Sequence, residues 1–510
     1  MPIATNRTQT IAKNTVLLYI RSIVTILLSI YTSRVLLDTL GVENYGTYNL
    51  VGGVVAMFLS MKSVFAASVQ RFLNYEKGQG NIQRVQEIFS TSVIIHLGIS
   101  ALFVILVECI GMYYIKNVMV IPEGMQSTTE FVFHCSVAAT AIAIMTIPYD
   151  AVIIANEKMN FYAYLSIGDA ILKLLIVFVL PILPFEYLCS YAFLILCISL
   201  CMRAISMRYS KRFPECEFKR IWRKKTVMQL TTFAGWNFFG CMAYSLIEEG
   251  TNMILNFFGG VTANAARGIA YQIRNAVQSL SGNVVVASQP LIMQKAAIVE
   301  QNVFWQYIYH QSRAVFYIIA FTAFPIYVYA EEILQIWLTE VPNGTLSFVR
   351  VILIYLVVMS IQKPLDLAFK AYNRLTLYQI IDASVLLFSL PVVYVTLYKG
   401  APLSSAFIVF IAVRIIDYTA VLLIARKQLS MKLMDFFNYV VIPCVSCSFV
   451  LAIIGAFFTC LPSQTNILIL GGRVVIMLCV SLLALFLLVL NNKERQIIKS
   501  FIVNIMKRIL

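Results

Sequence analysis

Charge is what this sequence has least of. Only 12% of its 510 residues are charged, whereas 60% are hydrophobic. An ordinary soluble domain is about 25% charged and about 45–50% apolar. Polar groups are therefore too few to cover a body that meets water on every side, and the mean hydropathy of +0.82 agrees. The composition excludes an ordinary soluble protein and predicts an integral membrane protein.

The sequence also lacks the motifs of common catalytic sites. It has no GxxxxGK[ST] phosphate loop, no HExxH and no GxSxG, which excludes ATP hydrolysis and peptide or ester hydrolysis by those routes. Three histidines are too few and too scattered for a metal site. The CxxC formed by Cys444 and Cys447 lies in an uncharged apolar run, so both thiols are predicted to pack as small hydrophobes. We expect no enzyme activity, no cofactor and no bound metal.

Long apolar runs make up most of the sequence. A bilayer core of about 30 Å needs around 20 mostly apolar helical residues. The chain has fourteen such runs, which predict an all-α integral membrane protein with fourteen transmembrane helices. They lie near 14–36, 47–69, 88–110, 131–155, 162–183, 187–207, 231–256, 268–291, 310–330, 346–369, 377–398, 402–425, 437–459 and 467–490.

The basic residues between these runs test the count. The net charge is +15, and in a membrane protein such an excess is typical of cytoplasmic loops. With the N-terminus in the cytoplasm, the outer loops hold only Lys116, Arg267 and Lys399, and the other loop cations fall on the cytoplasmic side. The excess of basic residues stays on the cytoplasmic side along the whole chain, so both termini are predicted to be cytoplasmic. The excess predicts contact with membrane lipids and none with nucleic acid.

A basic connector divides the chain. Residues 208–230 carry eight basic side chains between the sixth and seventh runs, and such a connector is typical of two-lobed transporters. We predict an N-lobe over 1–207, a cytoplasmic linker over 208–230, a C-lobe over 231–425, and two further helices with a tail over 426–510. Gly-rich turns near 40–48 and 258–271 recur about 220 residues apart, which favours two pseudo-repeated six-helix lobes.

Two segments resemble a known family. TSRVLLDTLGVENYGTY at 32–48 resembles the first-loop signature of Wzx-type O-antigen and capsule flippases, which belong to the MATE-like (multidrug/oligosaccharidyl-lipid/polysaccharide) exporter superfamily. ANAARGIA at 263–270 is similar to the matching segment of the second lobe. The resemblance implies two lobes facing a central cavity in the bacterial inner membrane. It also implies that an undecaprenyl-pyrophosphate-linked oligosaccharide moves from the cytoplasmic to the periplasmic leaflet.

Ionisable residues inside the runs are candidates for function, because each costs about 2.5–3.5 kcal/mol near a helix centre. Arg21 and Lys62 lie about a third of the way in from the cytoplasm, and neither has an acid three or four residues away in its own helix. A pyrophosphate cargo would supply the anion; a water-filled vestibule or a partner on another helix would serve equally. Five arginines near run ends are predicted to reach the interface instead: Arg34, Arg203, Arg313, Arg350 and Arg473.

Several other charges inside the runs have acidic neighbours. Lys173 follows Asp169 by four residues, and Arg414 precedes Asp417 by three, so each pair shares a helix face. Glu248 and Glu249 are predicted to pair with Arg274 and leave one carboxylate for a coupling ion; a hydrated mouth is the alternative. The predicted cargo-binding cations are Arg21, Lys62, Lys173, Arg274 and Arg414, and the predicted H⁺ or Na⁺ coupling residues are Glu248, Glu249 and Asp169.

The runs and their ends contain ten cations and seven acids. This excess of positive charge suits an anionic headgroup. The seven are Glu108, Asp150, Asp169, Glu248, Glu249, Asp382 and Asp417. A MATE-like ion-coupled multidrug exporter remains the alternative, and its cavity would be dominated by acids. A polysaccharide polymerase or ligase would need a longer outer loop than 111–130, although such enzymes are candidate partners. A membrane scaffold is a further alternative.

Overall fold

The computed structural model describes residues 21, 23–53, 55, 69, 72–73, 76–77, 80–156, 158–219, 224–298, 300–372, 374–462, 466–489 and 495. Every regular element in these ranges is helical. The helices are α1 (Ile23–Gly53), α2 (Ile82–Asn117), α3 (Gln126–Ala155), α4 (Met159–Val179), α5 (Tyr187–Ser210), α6 (224–259), α7 (261–298), α8 (Gln301–Val328), α9 (Ala330–Trp337), α10 (Thr345–Ala371), α11 (Thr376–Tyr398), α12 (Ser405–Leu429), α13 (Leu433–Thr459) and α14 (Ile467–Val489).

Most of the helices coincide with predicted spans, although α1 contains the end of the first run and the start of the second. Within the described ranges, eleven helices are long and apolar enough to cross a membrane, namely all except α6, α7 and the short α9. The predicted runs 231–256 and 268–291 fall in α6 and α7. Most of the run 47–69 lies outside the described residues, as does the candidate Lys62. The all-α class predicted from the sequence is confirmed.

The two Gly-rich turns are much tighter than predicted. Residues 42–53 continue α1 as helix, and the break is confined to Gly41, whose φ is 76°. Likewise, Gly260, with φ 64° and ψ −167°, is the only non-helical residue between α6 and α7. A positive φ is readily adopted only by glycine, since it has no Cβ. One glycine in each motif therefore adopts the non-helical conformation.

The chain forms two compact units. The first contains Met1–Ile269, Pro342–Thr345 and Leu386–Ala406. In it, α3 packs between α2 and α5, and contacts are close where side chains are small. A Cβ added at Gly111 of α2 would fall 2.3 Å from the Phe133 ring of α3, and the Ser100 hydroxyl donates to the Ala141 carbonyl at 3.1 Å.

The first part of the basic linker is packed onto this unit. After α5 ends at Ser210, a 3₁₀ turn at Pro214–Cys216 lies against α2. The Gln86 amide donates to the Pro214 carbonyl at 2.8 Å, and the buried Glu215 carboxylate accepts from Lys77 at 2.9 Å. Burial, with Glu215 beside it, raises the pKa of the Cys216 thiol to about 12. The linker's acids are thus used internally, whereas Lys211 and Arg212 are exposed.

The second unit contains Ala270–Val341, Leu346–Val385 and Phe407–Leu510. Its apolar core joins α8, α12 and α13, and the Trp305 indole donates to the Leu429 carbonyl at 3.2 Å. Cys444 and Cys447 are free thiols buried in that core, which confirms that they pack as hydrophobes. Arg313 was predicted to reach the interface, but it is buried on α8 with a guanidinium nitrogen 2.8 Å from His310 Nδ1.

Candidate functional site

The two segments that carry the family resemblance meet in the first unit. A Cβ added at Gly46 of α1 would fall 2.0 Å from the carbonyl oxygen of Val261, and one at Gly268 of α7 would fall 2.9 Å from the Asn49 side chain. Only glycine permits backbones to approach so closely, a use of small residues that is common between membrane helices. The glycines of the two motifs therefore hold α1 directly against α7.

Near the contact between α1 and α7, two carboxylates of α6 lie beside an arginine. Arg267 Nη2 donates to the Glu248 carbonyl at 2.6 Å and lies 3.7 Å from Glu248 Oε2, while Arg267 Nη1 lies 3.8 Å from Glu249 Oε2. A Cβ at Gly53 would come within 2.3 Å of Glu249 Oε2. Arg267 was predicted to occupy an outer loop; it is a buried residue of α7. The arginine beside both carboxylates is thus one that sequence reasoning missed, seven residues before the predicted partner, Arg274.

A buried asparagine ladder fixes the α6–α7 hairpin that carries this cluster. The Asn264 amide donates to Asn252 Oδ1 at 2.7 Å, and the Asn256 amide donates to Asn264 Oδ1 at 3.1 Å. Asn256 Oδ1 also accepts from the Val120 backbone N–H at 2.9 Å, which ties the segment after α2 to the hairpin. Asn252 in turn donates to Glu249 Oε2 at 3.3 Å. Asparagines at 252 and 256, one helical turn apart in an apolar run, were the signal available in the sequence.

The other charged site residues predicted in the first unit and described by the structure lie on α4 and just before α1. Asp169 and Lys173 of α4 form an ion pair of 2.7 Å, which confirms their predicted shared face. Both are partly exposed, and Lys173 interacts electrostatically with Tyr48, whose ring lies 5.0 Å from that of Tyr191. Arg21 is half-buried just before α1.

In the second unit, Arg274 of α7 is 9% exposed, and its guanidinium lies over the Tyr271 ring at 3.9 Å. Stacking on an aromatic ring restricts an arginine's rotamers and orients its fork of donors. The predicted set of cargo-binding cations is therefore distributed over both units.

A broken helix positions the second cluster. Helix α10 is interrupted at Ile361 and Gln362, and Pro364 follows at the start of its last turns. Proline lacks an N–H and clashes with the carbonyl four residues earlier, so it breaks a helix at this place. The interruption directs Gln362 towards α11 and α12. Discontinuous transmembrane helices are a common location of ion and substrate sites.

Around Gln362 lie four ionisable residues, which we call the aspartate cluster together with it: Asp366, Asp382, Arg414 and Asp417. Arg414 Nη1 lies 2.9 Å from both Asp382 Oδ1 and Asp417 Oδ2, and 3.0 Å from Gln362 Oε1. Gln362 Nε2 lies 3.0 Å from Asp382 and 3.1 Å from Asp417. Asp366 accepts a hydrogen bond from Tyr378. The predicted Arg414–Asp417 pair is confirmed, but Asp382 also shares the guanidinium, so Arg414 is held among protein acids.

Within the described residues, no group of three or more His, Cys, Asp or Glu side chains has the geometry to hold a metal ion.

Together, the helices and the buried charge clusters define a multi-pass membrane protein with polar sites in its interior. No family model matches the sequence. Over 91 residues the chain is 31% identical to a Yersinia pseudotuberculosis protein named "Putative O-antigen export protein". That match covers 18% of this chain and 20% of the relative, so the chain spans about a fifth of the curated relative's length in this comparison.

Solved structures match over most of the chain. An inward-facing MATE family multidrug transporter of the MOP superfamily has a TM-score of 0.70 at 11% identity, covering 80% of this chain and 98% of the transporter. The lipid II flippase MurJ in an inward closed conformation also has 0.70, at 12% identity, covering 92% and 98%. A MOP superfamily transporter from Pyrococcus furiosus, described as having a binding pocket of reversed polarity, has a TM-score of 0.62 at 12% identity, covering 82% of this chain and 96% of the transporter. The chain has the MATE-like fold of this superfamily, as predicted.

Proposed function

We propose that the protein is a flippase. It translocates an undecaprenyl-pyrophosphate-linked oligosaccharide from the cytoplasmic to the periplasmic leaflet of the bacterial inner membrane, for O-antigen, capsular or other surface polysaccharide biosynthesis. Both termini are cytoplasmic in this proposal. Lobes 1–207 and 231–425 expose the cargo site alternately to the two sides, while 426–510 supplies two additional helices.

One observation carries the proposal: most of the acids predicted inside the spans already contact a basic side chain of the chain itself. Six of the seven acids predicted there lie within 4 Å of a basic side chain. Glu108 contacts His134, Asp169 contacts Lys173, Glu248 and Glu249 contact Arg267, and Asp382 and Asp417 contact Arg414. Recognition of a cationic drug would need one of these pairs to open. An anionic cargo could bind Arg274, which stacks on Tyr271, without opening any of these six contacts, so the arrangement favours the phosphorylated lipid.

The cations supply the recognition in this account. Arg274, buried and stacked on Tyr271, presents planar donors that suit a phosphate, since guanidinium groups bind phosphate oxygens bidentately. Arg21, Lys62 and Lys173 provide further positive charge on the N-terminal side, and Lys173 would act there as a member of its pair with Asp169. The polyprenyl tail would stay in lipid while the oligosaccharide passes through the interior.

Loss of a cargo-binding cation tests this function. We expect Arg21→Ala, Lys62→Ala and Arg274→Ala each to lower surface polysaccharide by about tenfold or more, because one charge-assisted hydrogen bond contributes about 1.5–3 kcal/mol and about 1.4 kcal/mol is a factor of ten. Complementation of a deletion strain, with gels of extracted polysaccharide and blots of protein level, measures the effect. Lys399→Ala, an exposed lysine after α11, is the control. Full polysaccharide in all three variants would remove these residues from the mechanism.

We also propose that transport is coupled to H⁺ or Na⁺ through Glu248 and Glu249, with Asp169 as a further candidate. Arg267 lies within 4 Å of both glutamates, so binding of a cation there would compete with the arginine and alter the contact between α6 and α7. In proteoliposomes, an imposed H⁺ or Na⁺ gradient should accelerate transport, and the double substitution Glu248→Gln/Glu249→Gln should remove most of that acceleration. Transport indifferent to both gradients would contradict the coupling.

A MATE-like multidrug exporter is the second candidate, because the MATE transporter and MurJ match the fold with the same TM-score of 0.70. Export of cationic dyes by cells that overproduce the protein, unaffected by Arg274→Ala, would favour that function. Polysaccharide polymerases or ligases remain candidate partners of the flippase.

A further inference from the structure

We infer that the asparagine ladder of α6 and α7 is a latch on the side of the first unit that is predicted to be outer. Asn256 fastens the outer segment, which we define as residues 118–125 between α2 and α3, to the α6–α7 hairpin. This contact opens whenever the cargo leaves on that side. The opening rests on the proposed function, whereas the contact itself does not, and both partners belong to the first unit.

The Asn256 carboxamide pairs with both backbone groups of a single residue. Its Oδ1 accepts from the Val120 N–H at 2.9 Å, and its Nδ2 donates to the Val120 carbonyl at 3.2 Å. Two residues of neighbouring β-strands exchange hydrogen bonds in the same way. Because both bonds must form together, the contact fixes the orientation of the outer segment as well as its position on α6.

The ladder behind Asn256 leaves no amide hydrogen without an acceptor. Asn252, Asn256 and Asn264 are each at most 1% exposed, and each carboxamide carries two hydrogens. The six acceptors are the carbonyl oxygens of Val120, Asn252 and Asn49, the side-chain oxygens of Asn252 and Asn264, and Glu249 Oε2. A buried amide is costly without such partners. The contacts therefore hold the Asn256 side chain in the orientation that Val120 requires.

The contact joins the two lobes of the proposed function. Val120 lies in lobe 1–207 and Asn256 in lobe 231–425, although both residues lie in one compact unit. Lobes that expose a cargo site alternately must separate on the side where the cargo leaves, so the hydrogen bonds between Asn256 and Val120 must break there. Val120 is 46% exposed, and water can therefore replace Asn256 at its backbone.

The choice of asparagine suits a contact that must both form and open. Hydrogen bonds between membrane helices contribute little to stability on average, so leucine at position 256 would serve packing equally well. A carboxamide instead provides directional bonds that are lost after a small displacement. Neutral hydrogen bonds are also only about half as strong as charge-assisted ones, so the contact with Val120 can close the segment without preventing its release.

Hydrogen–deuterium exchange of the full chain in lipid nanodiscs, resolved to single residues by mass spectrometry, tests the contact. We expect the Val120 amide to exchange about tenfold faster or more in Asn256→Leu than in the wild type, because two hydrogen bonds are lost. Asn256→Ser replaces the leucine variant if that fails to fold, since a serine in a helix bonds back to a carbonyl of its own helix. Amides of α12, in the second unit, show any general loss of stability.

Asn117→Ala is the matched control, since it removes a hydrogen bond of 2.9 Å from an exposed amide to the Tyr113 carbonyl in the last turn of α2. It should leave the exchange of Val120 unchanged. Equal exchange of the Val120 amide in the wild type and in the Asn256 variants would overturn the latch.

Adding the lipid-linked oligosaccharide to the nanodiscs tests the opening. We expect the glycolipid to accelerate Val120 exchange about twofold or more in the wild type, because cycling populates the open state, and undecaprenol to have no effect. Flipping is measured separately in proteoliposomes. Flipping without any change at Val120 would make the contact permanent and overturn the latch. A protein that flips no glycolipid would reject the proposed function; acceleration by a cationic dye would then retain the latch, and acceleration by neither would reject it.

Discussion

A Gly46→Ala substitution is expected to disrupt the protein severely. The new Cβ would fall 2.0 Å from the Val261 carbonyl oxygen, and because that atom belongs to the backbone, relief requires α1 and α7 to separate. Overpacking a tight contact typically costs about 1–3 kcal/mol, and occasionally more. We expect a lower unfolding temperature in fluorescence-detected thermal unfolding of the purified protein, and the loss of most surface polysaccharide in cells.

Gly52→Ala is the matched control, since it lies in the same helix six residues later and a Cβ there has no neighbour within 4 Å. Alanine in a helix interior is favoured over glycine by about 0.5–1 kcal/mol, so this variant should be as stable as the wild type or slightly more stable. If the two variants unfold at the same temperature, the close contact between α1 and α7 is wrong.

Arg267→Gln is expected to have the second large effect. Removing one partner of a buried ion pair typically costs about 3–5 kcal/mol, because the opposite charge stays buried without its counter-ion. Here two carboxylates, Glu248 and Glu249, would lose the arginine that lies within 4 Å of both. Thermal unfolding of purified variants measures the loss. Lys116→Gln, whose 3.9 Å contact with Glu130 is largely exposed, should cost about 1 kcal/mol or less.

Combining Arg267→Gln with Glu249→Gln separates the ion pair from simple packing. Removing one of the two negative charges should recover part of the lost stability, since less charge then remains buried without its counter-ion. A double variant as unstable as the sum of the single variants would mean that Arg267 acts through its packing, and the proposed competition between a coupling ion and Arg267 would lose its basis.

Some of this site could be predicted from the sequence, namely the part that follows local rules. The spacing of Asp169 and Lys173 and of Arg414 and Asp417 predicted pairs on one helix face, and both pairs are present. Contacts between different helices cannot be predicted from residue spacing within one helix. That Asp382 of α11 shares the guanidinium of Arg414 depends on the break of α10 and the packing of three helices.

The position of Arg267 could not be predicted from hydropathy alone. Hydropathy placed it in a loop because it follows a Gly-rich stretch, but Gly260 alone makes the turn and α7 begins at once. Whether Arg267 is predicted in a loop or in a helix therefore depends on where α7 is taken to begin. The family resemblance includes the same segment, and the close approaches at Gly46 and Gly268 give the glycines of both segments a physical reason.

Direct observation of lipid flipping tests the central claim most sharply. The purified chain in proteoliposomes is supplied with an undecaprenyl-pyrophosphate oligosaccharide carrying a fluorescent sugar, and exposure of the label to a membrane-impermeant quencher is followed over time. We expect rapid exposure of the label that requires the protein, is slower in Arg274→Ala, and is blocked by excess unlabelled glycolipid but not by cationic dyes. Transport of the dyes with no movement of the glycolipid would contradict it.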